Sequence, residues 1–208
     1  MTRGRFITFE GGEGTGKSTQ AAVLAERLRA RGLEVVQTRE PGGSPGGEAI
    51  RDLVVRGDGE RWSPMAETLL MYAARADHLE RVIRPALARG AWVVCDRFAD
   101  STRAYQGAAG GVAARLIEAI DAEVVADAQP DLTLIFDLSP EAGLSRAARR
   151  GGDEARFEGK DVAFHQRLRD AYLEIAVRHP GRCALIDAAG DRAEVADRVW
   201  RAVEMRLP

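Results

Sequence analysis

The chain has 208 residues, 45% hydrophobic and 30% charged, with a net charge of −2 and a pI near 6.0. That is long enough for one domain with a sizeable core and close to ordinary globular composition. Near-neutral charge gives no general pull toward nucleic acid or membrane, and no apolar run approaches the ~20 residues of a membrane span. The N-terminal "MTRGRFITFEGG" lacks a signal-peptide core, and the two cysteines, Cys95 and Cys183, have no disulfide or metal-site spacing. A cytoplasmic protein with buried free thiols is expected.

In chain order, "RFITFE" (5–10) reads as a strand, and the period of Ala22, Leu24, Ala25 and Leu28 as a helix over 18–31 that stops at Gly32. "LEVVQT" (33–38) is the second strand, and "REPGGSPGG" (39–47) a loop before a helix over 48–55. Ser63 followed by Pro64 opens a long helix toward Arg89, with Pro85 placed to kink or shorten it. "AWVVCD" (91–96) is a continuous apolar strand, followed by a helix over 113–126. "DLTLIFDL" (131–138) is the fourth strand, and Ser139-Pro140 caps the next helix. A polar segment, 149–160, precedes a helix over 163–178. "RCALIDA" (182–188) is the fifth strand, and the last helix covers 192–206. The alternation predicts an α/β fold: a five-stranded parallel sheet covered by helices on both faces. One domain, 1–208, accounts for all of it.

Of 30 basic residues 28 are arginine, yet position 17 is lysine. It lies in Gly11-x-x-x-x-Gly16-Lys17-Ser18, the P-loop pattern, directly after a strand and opening a helix. Glycines let backbone N–H groups point inward as an anion nest, and the helix N-terminus adds its dipole. Lysine is a slim point charge that reaches past the nest to β- and γ-phosphate oxygens, where a wide guanidinium does not fit. Gly11, Gly12, Glu13, Gly14, Thr15, Gly16, Lys17, Ser18 and Thr19 are therefore the expected ATP-phosphate loop, with the Ser18 hydroxyl on Mg²⁺. Asp96 ends an apolar strand on the rim where open α/β sheets bind ligands, and can reach the same Mg²⁺. Arg97 beside it can hold a second, acceptor phosphate. No Asn-Lys-x-Asp guanine motif occurs, which argues against a GTPase switch.

With these constellations in place, "FEGGEGTGKST", "TREPGG" (38–43), "LLMYAAR" (69–75), "CDRFADSTRAYQG" (95–107), "PDLTLIFDLSPEAGLSRA" (130–147) and "IDA" (186–188) resemble the bacterial thymidylate kinases in order and spacing. The resemblance implies transfer of the γ-phosphoryl group of ATP to dTMP with Mg²⁺, on a P-loop kinase fold, in a cytosolic homodimer. It places Glu13 and Tyr105 at the dTMP sugar and Pro41 at the thymine. Arg51, Arg75 and Arg97 fall around the dTMP phosphate and base, and Ser101 and Gln106 in the acceptor segment. Met71 stands where many relatives carry a phenylalanine that stacks on thymine. Gly14 stands where eukaryotic-type relatives have an arginine. The segment 146–158, with Arg146, Arg149, Arg150 and Arg156, resembles the lid of the bacterial subtype. Arg156 and then Arg149 are the expected transition-state cations, beside Lys17 and Arg97. Two other readings stay open from the motifs alone: a deoxynucleoside or other small-molecule P-loop kinase, and a non-catalytic nucleotide-binding regulator.

Overall fold

The computed structural model describes residues 3–55, 61–150 and 159–207. Five strands form one parallel sheet: β1 (Phe6–Gly11), β2 (Val35–Arg39), β3 (Trp92–Asp96), β4 (Leu132–Asp137) and β5 (Cys183–Asp187), in the order β2-β3-β1-β4-β5. The strands, helical positions and both-sided coverage expected from the alternation are all present.

β1 is central and buried along its whole length. Its alternate residues feed two cores, because successive side chains in a strand point to opposite faces. Ile7 and Phe9 pack with Leu24 and Leu28 of α1 (Lys17–Ala30) and with Val199 and Val203 of the C-terminal helix Arg192–Arg206. Phe6 faces the other way, toward Leu79, Ile83 and Phe98. Full burial of each such side chain contributes roughly 1.5–3 kcal/mol. On that second face, Thr8 is paired to Thr133 of β4 by a 2.9 Å hydroxyl–hydroxyl bond, and Glu10 is completely buried.

Helix starts follow a local rule. Three Ser-Pro pairs open three helices: Ser44 before α2 (Pro45–Val55), Ser63 before α3 (Pro64–His78), and Ser139 before the helix Pro140–Arg150. In each, the serine oxygen accepts from the backbone N–H three residues on, at Gly47 (3.1 Å), Ala66 (3.2 Å) and Ala142 (3.3 Å). Proline sits at the first helical position, where its missing N–H costs nothing. α2 thus begins three residues earlier than expected. Pro85 does not end the long helix. A widened π turn, Leu79–Ile83, in which Arg84 N–H reaches back to Leu79 O, leads into α4 (Arg84–Ala88). The wider turn accommodates a ring that would otherwise meet the carbonyl four residues back.

The remaining helices are α5 (Ala99–Thr102), continued by a π segment Arg103–Ala109, then α6 (Ala114–Val124), α7 (Pro140–Arg150), α8 (Val162–Arg178) and α9 (Arg192–Arg206). Cys95 and Cys183 are free and buried, as expected. Among the described residues no helix is long and apolar enough to cross a membrane. β1 pairs with β3 on one side and β4 on the other, so strand order reverses at β1, and the crevice at the carboxyl ends of β1 and β3 is where such sheets take ligands.

Candidate active site

A cleft of about 840 Å³ opens at that crevice. Its walls come from the β1–α1 loop, the β2–α2 loop, α3 and the β3–α5 turn. Of the expected site residues it gathers Glu13, Gly14, Gly16, Lys17, Ser18, Thr19, Pro41, Arg51, Met71, Arg75, Asp96, Arg97, Ser101, Tyr105 and Gln106.

The β1–α1 loop has the conformation its sequence demands. Gly16 has φ 90°, which a side chain tolerates poorly, and Thr15 Oγ1 braces the turn by donating to Gly12 O at 3.0 Å. Lys17, buried at the first position of α1, donates from Nζ to Gly12 O (2.6 Å) and Thr15 Oγ1 (3.2 Å). Burial, reinforced by Arg97, brings its ammonium down to about 8, while Glu13 and Asp96 favour its charge. Ser18 Oγ donates to Asp96 Oδ2. The second carboxylate oxygen, Asp96 Oδ1, is buried with no hydrogen-bond partner among the described residues. A hydroxyl bonded to a carboxylate that keeps one bare buried oxygen fits a hard divalent cation, which takes oxygen ligands.

The other wall is built around two arginines. Arg97 directly follows β3 with φ 68°, a left-handed backbone that is uncommon outside glycine and clusters at functional sites. Its NH2 donates to Glu13 Oε1 and Tyr105 Oη, both at 2.9 Å, and its NH1 to Gly11 O at 3.0 Å. Tyr105 Oη in turn donates to Glu13 Oε1 at 2.6 Å. Burial opposes the charge on Glu13, but Arg97 and Lys17 overcome it and bring the carboxyl down to about 2. Arg75, 2% exposed, donates through Nε to Glu40 Oε2 (2.8 Å) and through NH2 to Thr102 Oγ1 (3.0 Å). Its guanidinium lies over the rings of Tyr72 and Phe98, and NH1 has no partner among the described residues. That leaves a buried, fixed donor in the cleft wall.

The thymine-side expectations fall together. Arg51 NH1 donates to Pro41 O at 2.8 Å, and Met71 lines the same cleft. Gln106 Nε2 is anchored to Glu67 Oε1 at 2.7 Å. The two expected lid cations whose side chains are described, Arg146 and Arg149, do not line the cleft with them. Arg149 is exposed on α7 and donates to Ser145 O and Oγ, while Arg146 NH1 donates to Ala188 O. The Arg150 side chain and Arg156 lie outside the described residues.

Sequence reasoning missed a supporting layer. Glu40 fixes Arg75, and the His78 ring bridges Glu40 Oε1 (2.9 Å) and Thr38 Oγ1 (2.7 Å). Glu10 accepts from Phe98 N–H and Ser101 Oγ, and Tyr172 reaches it from α8. Burial, with Asp100 nearby, pushes the Glu10 carboxyl up to about 7. An acid inside an otherwise apolar strand was the one readable signal for Glu10.

Comparison with known proteins identifies the family. The family model described as thymidylate kinase matches residues 9–199. The thymidylate kinase of Caulobacter vibrioides is 61% identical over 207 residues, covering 100% of this chain and 99% of the relative. That of Bradyrhizobium diazoefficiens is 59% identical, covering 99% of this chain and 91% of the relative. The crystal structure of thymidylate kinase from Ehrlichia chaffeensis superimposes with a TM-score of 0.78 at 34% identity, covering 97% of this chain and 99% of that one. The P-loop, the Asp96–Arg97 rim and the full-length likeness therefore converge: this chain belongs to the thymidylate kinase family, on the P-loop kinase fold.

Proposed function

We propose that this cleft performs the family reaction in one kinase domain, moving the γ-phosphoryl group of ATP to dTMP to give dTDP and ADP. The single observation that carries the acceptor assignment is that Arg75 and Arg97 line the same cleft as Lys17, with Arg75 NH1 buried and unpartnered among the described residues. Both arginines already have a carboxylate partner, Glu40 and Glu13 respectively, but a neutral nucleoside offers no anion to the bare Arg75 NH1, and a buried donor left without a partner is costly.

The loop N–H groups and the start of α1 bind the ATP phosphates, and Lys17 Nζ leaves Gly12 O for the β,γ oxygens. Ser18 and Asp96 hold Mg²⁺, which when bound neutralises charge on the phosphates. Arg97 and Arg75 hold the dTMP phosphate in line with the ATP γ-phosphoryl group. Proximity and charge neutralisation carry most of the rate, because the attacking group is already a phosphate anion that needs no general base. Glu13 and Tyr105 form the wall against the sugar. Pro41, Arg51, Met71 and Gln106 enclose the base, and the thioether of Met71 covers its face. Arg156, then Arg149, complete the transition-state charge from the lid. Leu53, Met65 and Leu69, exposed on α2 and α3, offer apolar surface for a second copy in a cytoplasmic homodimer.

Titration calorimetry with dTMP and with thymidine tests the acceptor site. The phosphate should strengthen binding by roughly a hundredfold or more, two charge-assisted bonds at about 1.5–3 kcal/mol each. Equal affinities would overturn the assignment.

A further inference from the structure

Glu10 is the last side chain of β1 before the phosphate loop, wholly buried, and is not itself among the residues that line the cleft. Its oxygens are used differently. Oε1 accepts from Phe98 N–H at 2.7 Å. Oε2 is approached by two hydroxyls, Ser101 Oγ at 2.6 Å and Tyr172 Oη at 3.2 Å, which lie 3.0 Å from each other. Both hydroxyls also face Arg97 NH1, at 3.3 and 3.4 Å. NH1 has two hydrogens and three acceptors, so with Gly11 O taking one at 3.0 Å the two hydroxyl oxygens share the other.

We propose that Glu10 is a positioning residue for the acceptor site: its carboxylate draws the Ser101 and Tyr172 hydroxyl protons inward, so that both oxygens present lone pairs to Arg97 and hold its guanidinium at the phosphate rim. Each hydroxyl has one proton. Once Glu10 is ionised, above about pH 7, it is an acceptor only, so the Ser101 proton runs to Glu10, and that of Tyr172 runs to Glu10 or to Ser101. In either arrangement no proton is left pointing at the cation. The left-handed backbone of Arg97 is pinned from the same carboxylate through Phe98 N–H, one residue on. Glu10 thus sets both the path of the turn and the polarity of the groups that face its side chain.

Glutamine at this position has nearly the same shape and the opposite effect. Its oxygen must stay at the Oε1 position, because only an acceptor suits Phe98 N–H. The amide nitrogen then replaces Oε2 and donates to the hydroxyls. Their protons are displaced outward, and at least one turns toward Arg97 NH1. The inference rests on the assignment of Arg97 to the acceptor phosphate.

The test is steady-state kinetics of Glu10→Gln with both substrates at about pH 8.5, where wild-type Glu10 is ionised. A misdirected charge-assisted bond should raise KM for dTMP about tenfold, with KM for ATP within about twofold of wild type. In a Ser101→Ala/Tyr172→Phe background there are no hydroxyl protons to turn, so adding Glu10→Gln should leave KM for dTMP where it was. An unchanged dTMP KM in Glu10→Gln, an equal rise for ATP, or the same factor in the hydroxyl-free background would each overturn the proposal. If Glu10→Gln does not fold, Tyr172→Phe carries the test: a roughly threefold rise confined to dTMP is expected, and no rise contradicts it. Arg97→Ala separates the two layers. If it leaves dTMP binding unaltered, the acceptor assignment itself fails, and Glu10 has nothing there to position.

Discussion

Gly14 of the phosphate loop and Gly143 of α7 pack backbone against backbone. A Cβ on Gly14 would lie 1.9 Å from Gly143 O, and a Cβ on Gly143 would lie 2.5 Å from Glu13 O. Helix α7 carries the first residues of the proposed lid, so the phosphate loop packs directly on the helix from which that lid would spring. The contact also explains why this chain carries no arginine at position 14: the space a side chain needs is filled by α7. Gly143→Ala should cost about 1–3 kcal/mol of stability through forced backbone shift and lower turnover by displacing Glu13. Thermal unfolding and turnover, measured together, check this, and wild-type values in both would show that the contact is dispensable.

Lys17→Ala should leave a folded protein that has lost most phosphoryl transfer. Lys17→Arg should also be poor, since the residue is buried and its Nζ fits between Gly12 O and Thr15 Oγ1. Near-wild-type turnover in Lys17→Arg would refute the account of why lysine stands in this arginine-rich chain.

Removing the dominant lid arginine should lower turnover far more than dTMP affinity, because arginine fingers supply roughly 10³–10⁵ in well-studied NTPases. Arg156→Ala is expected to show the largest loss and Arg149→Ala the next. Full turnover in alanine variants of Arg146, Arg149, Arg150 and Arg156 would remove the lid from the mechanism.

Tyr105 is held by two polar contacts, Arg97 NH2 and Glu13 Oε1, so its ring cannot easily swing aside. In its proposed place beside the acceptor sugar, a fixed ring would exclude an added 2′-hydroxyl. Tyr105→Ala should narrow the preference for dTMP over ribothymidine monophosphate, read as the ratio of kcat/KM values. An unchanged ratio in a folded variant moves discrimination elsewhere, with Glu13 next.

Glu13 carries a pH signature. Its folded-state value of about 2 lies below the ordinary 4.5, so its charge contributes stability that is fully present above pH 4.5 and lost as pH falls toward 2. The shift corresponds to about 3 kcal/mol. Wild type should therefore be more stable than Glu13→Gln at neutral pH, and the gap should close between pH 4.5 and 2. A gap independent of pH would mean that the Glu13–Arg97 pair contributes no net stability.

Much of this was legible because it is local. The P-loop glycines, the apolar run ending at Asp96 and two of the three Ser-Pro helix starts carry their structure within a few residues. At Ser44-Pro45 the flanking glycines mask the same start signal. The supporting layer was not legible, because it depends on distant segments meeting. Glu40 meets Arg75 across 35 positions, and Tyr172 reaches Glu10 across 162. No periodicity encodes such pairs. The π turn before Pro85 was likewise hidden, since only the continuation of packing into α4 shows that the helix survives its proline.

In the proposed mechanism Lys17, Arg75 and Arg97, which line one cleft, align two phosphates for direct transfer. Product analysis of the purified protein with ATP, Mg²⁺ and a panel of nucleosides and nucleoside monophosphates tests it most directly. The account predicts dTDP and ADP in equal amounts from dTMP, with thymidine inert. Phosphorylation of thymidine in preference to dTMP, or ATP hydrolysis indifferent to dTMP, would contradict it.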